Sequence, residues 1–361
     1  MNNRSHKNEI KKKKEKKNGN KENENKKNMD KMSNEAVLQS RKMKYTFCFL
    51  GCLTICGLRN SIVRKMAFSP PSLKGYIIEN NKFICNNIRS IEFYEAIKRN
   101  NIEIDFILIK KHLNKIASIL IYRKPLNFNK QIILFSHGNS TDIGHICLFL
   151  LNLVLYNDIN LLAYDYSGYG YSNKKPSEKN IYKNIKIVYK HLTKELKINP
   201  LNIIVYGHSI GTACSCYLIS LKKVKVGGCI LQSPLASGLR LLIPYENQKV
   251  PWFDVFKNVE RLKKISLLPI FLMHGKKDKQ VPFNHAVCLM NILKENFEKR
   301  NVKNNSLKNF EEKKNSENLS LINFWAIEDA DHNDIEEKNT LVFYHKIKEF
   351  LLLCENYNKN K

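Results

Sequence analysis

A mainly parallel β-sheet covered by helices on both faces is expected for this 361-residue chain, on three observations. Short apolar runs alternate with longer, helix-like segments from Ile102 onward, which implies repeated strand–helix units. Runs such as "QIILFS" are apolar almost throughout, as suits strands buried on both faces. Gly-containing turns ("SHGN", "SGYG", "GHSIG", "HGKKD") close successive runs.

Taken in order, "RKMAFSPPSLKGY" carries Pro70-Pro71, which breaks any helix and marks entry into the folded domain. "IEIDFILIK" and "IASILIY" read as two early strands joined by a polar turn. "QIILFS" is a strand ending at His137-Gly138, and "DIGHICLFLLNLVLY" has the length and composition of a helix. "INLLAYDY" is the next strand. "SEKNIYKNIKIVYKHLTKEL" is a helix with Ser177 as N-cap. "NIIVYGHS", "VGGCILQSP", "LPIFLMHG" and "LINFWAIED" are further strands. "IGTACSCYLISL", "FNHAVCLMNILKENF" and "TLVFYHKIKEFLLLC" are the helices among and after them, the last amphipathic. Leu235 to Lys264 is mixed and Pro-interrupted, a small lid or a crossover.

The formal net charge of +28 is concentrated in two Lys/Asn-rich stretches. Residues 1–44 form one, and an insertion at about 297–320 forms the other. Both lack the apolar surface to offset ordering entropy, so both are expected to be disordered. A basic tail beside an apolar patch suits an acidic membrane leaflet. No nucleic-acid module or aromatic–basic interleaving is present, so nucleic acid is not expected as a partner. The ten cysteines form no C-x-x-C pair, and most lie among apolar neighbours, which indicates buried thiols in a reducing compartment. The histidines are scattered, and no metal site or cofactor is expected.

The motif that carries chemistry is "VYGHSIGTA". It places Gly207, His208, Ser209, Ile210 and Gly211 in a G-x-S-x-G pattern between an expected strand and helix, the setting of a nucleophile elbow and of the α/β-hydrolase fold. A serine nucleophile needs a base, and the base an orienting carboxylate. In that fold they follow in the order Ser, acid, His. Asp278 in "MHGKKDKQVP" and His332 in "IEDADHNDIEE" each stand just past a strand, in that order. Asp329, Asp331 and Asp334 compete with Asp278 but are local to His332 in sequence. Asp165 also ends a strand, with a structural role in its turn as the first reading. The oxyanion-hole donors expected are the backbone N–H groups of Ile210 and of Asn139 in "SHGNSTD". His137 is expected to fix that loop.

The segment from about Met66 to Phe350 resembles the α/β hydrolase domain-containing protein 17 family, serine hydrolases that remove palmitate from cytoplasmic protein cysteines. The resemblance is carried by "LFSHGNSTDIG", "YDYSGYGYS", "KPSEKNIY", "VYGHSIGT", "LQSPLASGLR", "FDVFKNVERLKKI" and "HNDIE". It implies Ser209 as nucleophile, Asp278 as acid and His332 as base, with S-palmitoylated proteins as substrates and no cofactor. Two features depart from the family. His208 stands where the family usually has Gln, as in monoacylglycerol-lipase-type elbows, and the basic insertion is foreign to its pattern. Both leave substrate preference open, and because the same triad serves oxygen esters, a lipid esterase acting on monoacylglycerols or lysophospholipids is the alternative, followed by a non-catalytic membrane adaptor.

The remaining feature is "KYTFCFLGCLTICGLRN". It is shorter than the about 20 apolar residues of a spanning helix and begins too late for an ordinary signal peptide. No glycine follows Met1 for myristoylation. Cys48, Cys52 and Cys56 would share one helical face. The family carries an S-acylated, cysteine-rich N-terminus before a segment matching "MAFSPP". The resemblance thus implies a lipidated anchor over residues 45–65, ahead of a hydrolase domain over 66–357. It also implies a monomer held peripherally on the cytoplasmic face of the plasma membrane or an endosomal membrane.

Overall fold

The computed structural model describes residues 59–86, 89–242, 250–305 and 321–359. Helix α1 (Arg59–Ala67) is followed by a hairpin of β1 (Tyr76–Glu79) and β2 (Lys82–Cys85) and by helix α2 (Ser90–Asn100). Periodicity does not reveal the hairpin, because four residues are too few for alternation to register. Its signal is Asn80-Asn81, both at positive φ (49° and 60°), the backbone that a two-residue hairpin turn demands. Val63 and Ala67 of α1 pack on the core, so the folded domain begins earlier than the expected boundary at residue 66. It also ends later than residue 357, because the last helix reaches Lys359. The basic tail and Cys48, Cys52 and Cys56 lie outside the described residues.

The main sheet runs β3 (Ile102–Lys111), β4 (Asn114–Arg123), β5 (Ile132–Ser136), β6 (Asn160–Tyr164), β7 (Ile203–His208), β8 (Gly228–Gln232), β9 (Ile270–Gly275) and β10 (Ile322–Ile327) along the chain. Its spatial order is β10-β9-β8-β7-β5-β6-β4-β3. Strand β4 is antiparallel to β3 and β6, and every other pairing is parallel. From β5 the chain crosses to β6 on one side, then returns to β7 on the other. The crevice beyond the ends of β5 and β7 is therefore a topological switch point, where open α/β sheets place their ligands.

Alternation within the apolar runs serves two cores. Ile132 and Leu134 of β5 face a cluster that includes Ile181 and Ile185 of helix α4 (Glu178–Lys190), Leu218 of α5 (Gly211–Ile219) and Leu289 of α7 (Asn284–Asn305). Ile133 and Phe135 face the other, which includes Leu150 and Val154 of α3 (Cys147–Asn157) and Phe343 and Phe350 of α8 (Thr340–Lys359). Each such side chain contributes about 1.5–3 kcal/mol on full burial, which is why a strand apolar at every position is stable only between two helical layers. Ser177 caps α4 by accepting from Asn180 N at 3.2 Å, a contact worth about 1 kcal/mol.

Two expected boundaries move. Helix α3 begins at Cys147, not at Asp142. The Asp142 carboxylate takes the N–H groups of Gly144 (3.0 Å) and His145 (2.9 Å) and that of Gly75 (3.0 Å), and such side-chain bonds compete with helix formation. Helix α7 continues to Asn305 through Phe297, where the disordered insertion was expected to begin. Leu289, Leu293 and Phe297 recur every four residues and are fully buried, so core packing extends the helix. Residues 306–320 lie outside the described residues. Between β8 and β9, the described part of Leu235–Lys264 is a packed crossover. Phe256 is buried, Asn258 Nδ2 donates to Leu235 O at 2.9 Å, and helix α6 (Asn258–Leu262) joins the core.

Candidate active site

The loops after β5, β7, β9 and β10 leave the same edge of the parallel sheet, and the candidate residues stand in them. Ser209 follows β7 directly and has φ +53°. A non-glycine residue held there stores about 1–3 kcal/mol of strain. The turn is compressed on both sides. A Cβ on Gly211 would lie 2.1 Å from Ser136 O, and one on Gly207 would lie 2.6 Å from Gly211 O. Ser209 N donates to Gln232 O at 2.9 Å, tying the turn to the end of β8.

His332 and Asp278 meet Ser209 through space. Ser209 Oγ lies 2.8 Å from His332 Nε2, and His332 Nδ1 lies 2.7 Å from Asp278 Oδ2. The β9 and β10 loops are pressed together where a Cβ on Gly275 would lie 2.2 Å from Ala330 O, and Lys277 N donates to Ala330 O at 3.0 Å. The other acids near His332 are engaged elsewhere. Asp329 pairs with Lys277, Asp331 accepts from the backbone of Lys279 and His332, and Asp334 accepts from Asp331 N and pairs with Lys338.

Asp278 is 8% exposed. Burial would raise its pKa, but N–H groups of His274 and His332 outweigh that and hold the carboxyl well below the usual carboxylate range. Its other oxygen, Oδ1, accepts from Gln280 N (2.9 Å) and Val281 N (2.8 Å). An ionised Asp278 favours the His332 tautomer with the proton on Nδ1, leaving Nε2 free to accept from Ser209.

The loop after β5 is fixed by contacts that reach across the chain, some of them to residues, Ser69 and Tyr169, that the sequence did not single out. Asn139 Oδ1 accepts from Ser69 N (2.9 Å) and Tyr169 OH (2.7 Å). The candidate oxyanion loop is thereby locked to the segment after α1 and to the turn after β6. His137 is fully buried, stacks on Tyr166 and lies 3.4 Å from Asp165. Asp165 accepts from Tyr76 OH (2.5 Å) and Ile143 N (3.0 Å), away from His332.

His208, beside the nucleophile, faces the His332 carbonyl at 3.4 Å. Burial, and then repulsion from His332, pushes its imidazole down to about 3, so it is neutral near pH 7. Ser233 Oγ donates to the same carbonyl at 3.2 Å. A cavity of about 450 Å³ opens over Ser209, lined by apolar Phe135, Ile146 and Phe149 and by polar Gln232, Asn333 and Glu336 among others. Among the described residues, the crossover Leu235–Lys264 supplies none of its lining residues. The arrangement can deliver a deprotonated serine oxygen to an acyl carbon held in that cavity.

Residues 128–256 match the family model described as serine aminopeptidase, S33. The chain is 35% identical over 246 residues to the α/β hydrolase domain-containing protein aho-3 of Caenorhabditis elegans, covering 68% of this chain and 72% of that protein. It is 33% identical over 246 residues to the α/β hydrolase domain-containing protein 17B of Homo sapiens, covering 67% and 82%. Among solved structures, an esterase of Pyrococcus furiosus superposes with a TM-score of 0.53 at 18% identity, covering 78% of this chain and 98% of the esterase. That likeness shows a shared α/β-hydrolase fold.

Proposed function

The chain belongs to the α/β hydrolase domain-containing protein 17 family, and on that premise we propose that it is a serine hydrolase cleaving palmitoyl thioesters from S-acylated proteins. The observation that carries the reading is the continuous hydrogen-bond chain Ser209–His332–Asp278 at the mouth of the cavity.

In the proposed mechanism, His332 Nε2 accepts the Ser209 proton as the serine oxygen attacks the thioester carbonyl. Backbone N–H groups of Asn139 and Ile210 receive the oxyanion; each such donor contributes about 3–4 kcal/mol to the transition state. The C–S bond breaks, the cysteine sulfur leaves with the proton held by His332, and the fatty acyl group remains on Ser209. Water then gives a proton to the neutral His332 as it attacks the acyl carbon, the acyl–Ser209 bond breaks, and Ser209 takes that proton back as the fatty acid is released. The strain at Ser209 keeps its oxygen clear of the sheet edge.

The expected substrates are lipidated proteins at the cytoplasmic face of a membrane, with the enzyme held beside them through acylated Cys48, Cys52 and Cys56 and the basic tail. Stable attachment takes two such signals. Among the described residues no helix is long and apolar enough to cross a membrane. The decisive experiment compares hydrolysis of a palmitoyl-cysteine peptide with that of a monoacylglycerol by wild type and Ser209→Ala. Preference for the thioester, lost in the variant, supports the reading. Preference for the glycerol ester replaces it with a lipid esterase.

A further inference from the structure

The Asp278 carboxylate has a second imidazole on it. His274 Nε2, at the end of β9, lies 3.0 Å from Asp278 Oδ2, the same oxygen that His332 Nδ1 meets at 2.7 Å. We propose that His274 is a positioning residue for the hydrolytic reaction, holding the Asp278 carboxylate against His332. The proposal rests on the reading of Ser209, His332 and Asp278 as the reacting set.

Three features of His274 carry it. The residue is fully buried, and both groups facing Nε2, Asp278 Oδ2 and Val281 O (2.8 Å), are acceptors. Nε2 must therefore carry the proton and share it between them. Nδ1 is buried with no hydrogen-bond partner, so the imidazole costs stability relative to an apolar side chain unless its Nε2–H returns a gain. Val281 is also the residue whose N–H binds Asp278 Oδ1 at 2.8 Å. One histidine thus braces both the acid and the loop that seats it.

The titratable groups around this pair come from every packed element. His332 and Asp331 stand on the β10 loop, His208 on the elbow, and His285 on α7 faces His274. Removing the His274 N–H leaves the carboxylate with less hydrogen bonding. The carboxylate charge, less offset by a donor, then pulls harder on the His332 imidazolium. A higher pH is needed before Nε2 can accept from Ser209, so the acid limb of the rate profile moves upward.

The test is the rate of covalent labelling of Ser209 by a fluorophosphonate across pH, in full-length wild type, His274→Phe and His274→Gln, with Tm measured in parallel. Expected for His274→Phe are a roughly tenfold or larger loss of rate and an acid limb displaced upward by about 1 pH unit. His274→Gln, whose amide can donate from the Nε2 position, recovers part of both. An acid limb unmoved in His274→Phe overturns the inference, even if rate or Tm falls, because a purely structural role does not shift it. If His274→Phe does not fold, His274→Asn, with its amide at the Nδ1 position, is expected to show the same shift, and an unmoved limb there overturns the inference equally. Failure of wild type to label overturns the reading of Ser209 together with the inference. Labelling with an unmoved limb overturns the inference alone.

Discussion

His332 Nε2 lies 2.8 Å from Ser209 Oγ although 123 residues separate them in the chain. The two arrive from β10 and β7, which are not neighbours in the sheet. The contact depends on β8 and β9 holding register between them and on the His332 carbonyl being gripped by Ser233 and His208. Substitutions that loosen this frame lower activity without touching either reacting group.

Replacing Ser209 separates chemistry from strain. Both Ser209→Ala and Ser209→Gly are expected to lose roughly 10⁴-fold or more in kcat. Because φ is +53°, the glycine variant is expected to be more stable than the alanine variant by about 1 kcal/mol. Urea unfolding of the two purified variants checks the order, and equal midpoints would remove the strain argument.

The elbow has no room for a methyl group at Gly211, where a Cβ would meet Ser136 O at 2.1 Å. Gly211→Ala is expected to destabilise the fold by about 1–3 kcal/mol or more. It should also displace Ser209, lowering fluorophosphonate labelling in whatever fraction remains folded, as read by calorimetry and labelling on the same sample.

Asn139 acts through its side chain as well as its backbone. Asn139→Ala keeps the N–H but removes the acceptor of Ser69 N and Tyr169 OH. Leaving the part-buried Tyr169 hydroxyl unpaired costs up to about 1–3 kcal/mol, whereas the exposed Ser69 N–H can turn to water. The expected result is a fall in kcat with little change in KM, measured on an activated ester; an unchanged kcat would show that the loop holds itself.

Acid sensitivity follows from two histidines kept neutral by burial, His208 at about 3 and His285 at about 4. Unfolded, each titrates near 6.5. As pH falls below about 6.5, the unfolded chain binds protons that the folded chain refuses, so folded stability is full above that pH and declines toward pH 4. The Asp278 carboxyl, held low, adds its own loss further down, as pH passes below the ordinary carboxylate value of about 3.9. His208→Gln with His285→Gln should flatten the dependence between pH 6.5 and 4 in denaturant titrations, and an unaltered slope would contradict the assignment.

Changing Cys48, Cys52 and Cys56 together to Ser is expected to move the protein from the membrane to the soluble fraction of lysed cells. Retention on membranes would show that the basic tail, or another segment, suffices.

The sheet and the serine turn could be read from the residues because both are written in local sterics. An apolar run of five or six residues has one stable home in a two-faced sheet, and G-x-S-x-G between strand and helix leaves one way to turn. The positions of Asp278 and His332 were legible to the same depth, as polar residues just past strand ends. Chain order favoured Asp278 over the nearby Asp329, Asp331 and Asp334 as the partner of His332, but the contact itself exists only because the β9 loop packs on the β10 loop at Gly275. Periodicity could not anticipate His274 behind Asp278, the Asn139 lock to Ser69 and Tyr169, or the Asp142 side chain delaying α3. The Asn139 lock joins segments far apart in the chain, and the other two are short-range contacts in turns, where helix and strand periods do not say which side chains meet. Local chemistry settled what the elements are; the approach of remote loops settled which of their side chains meet.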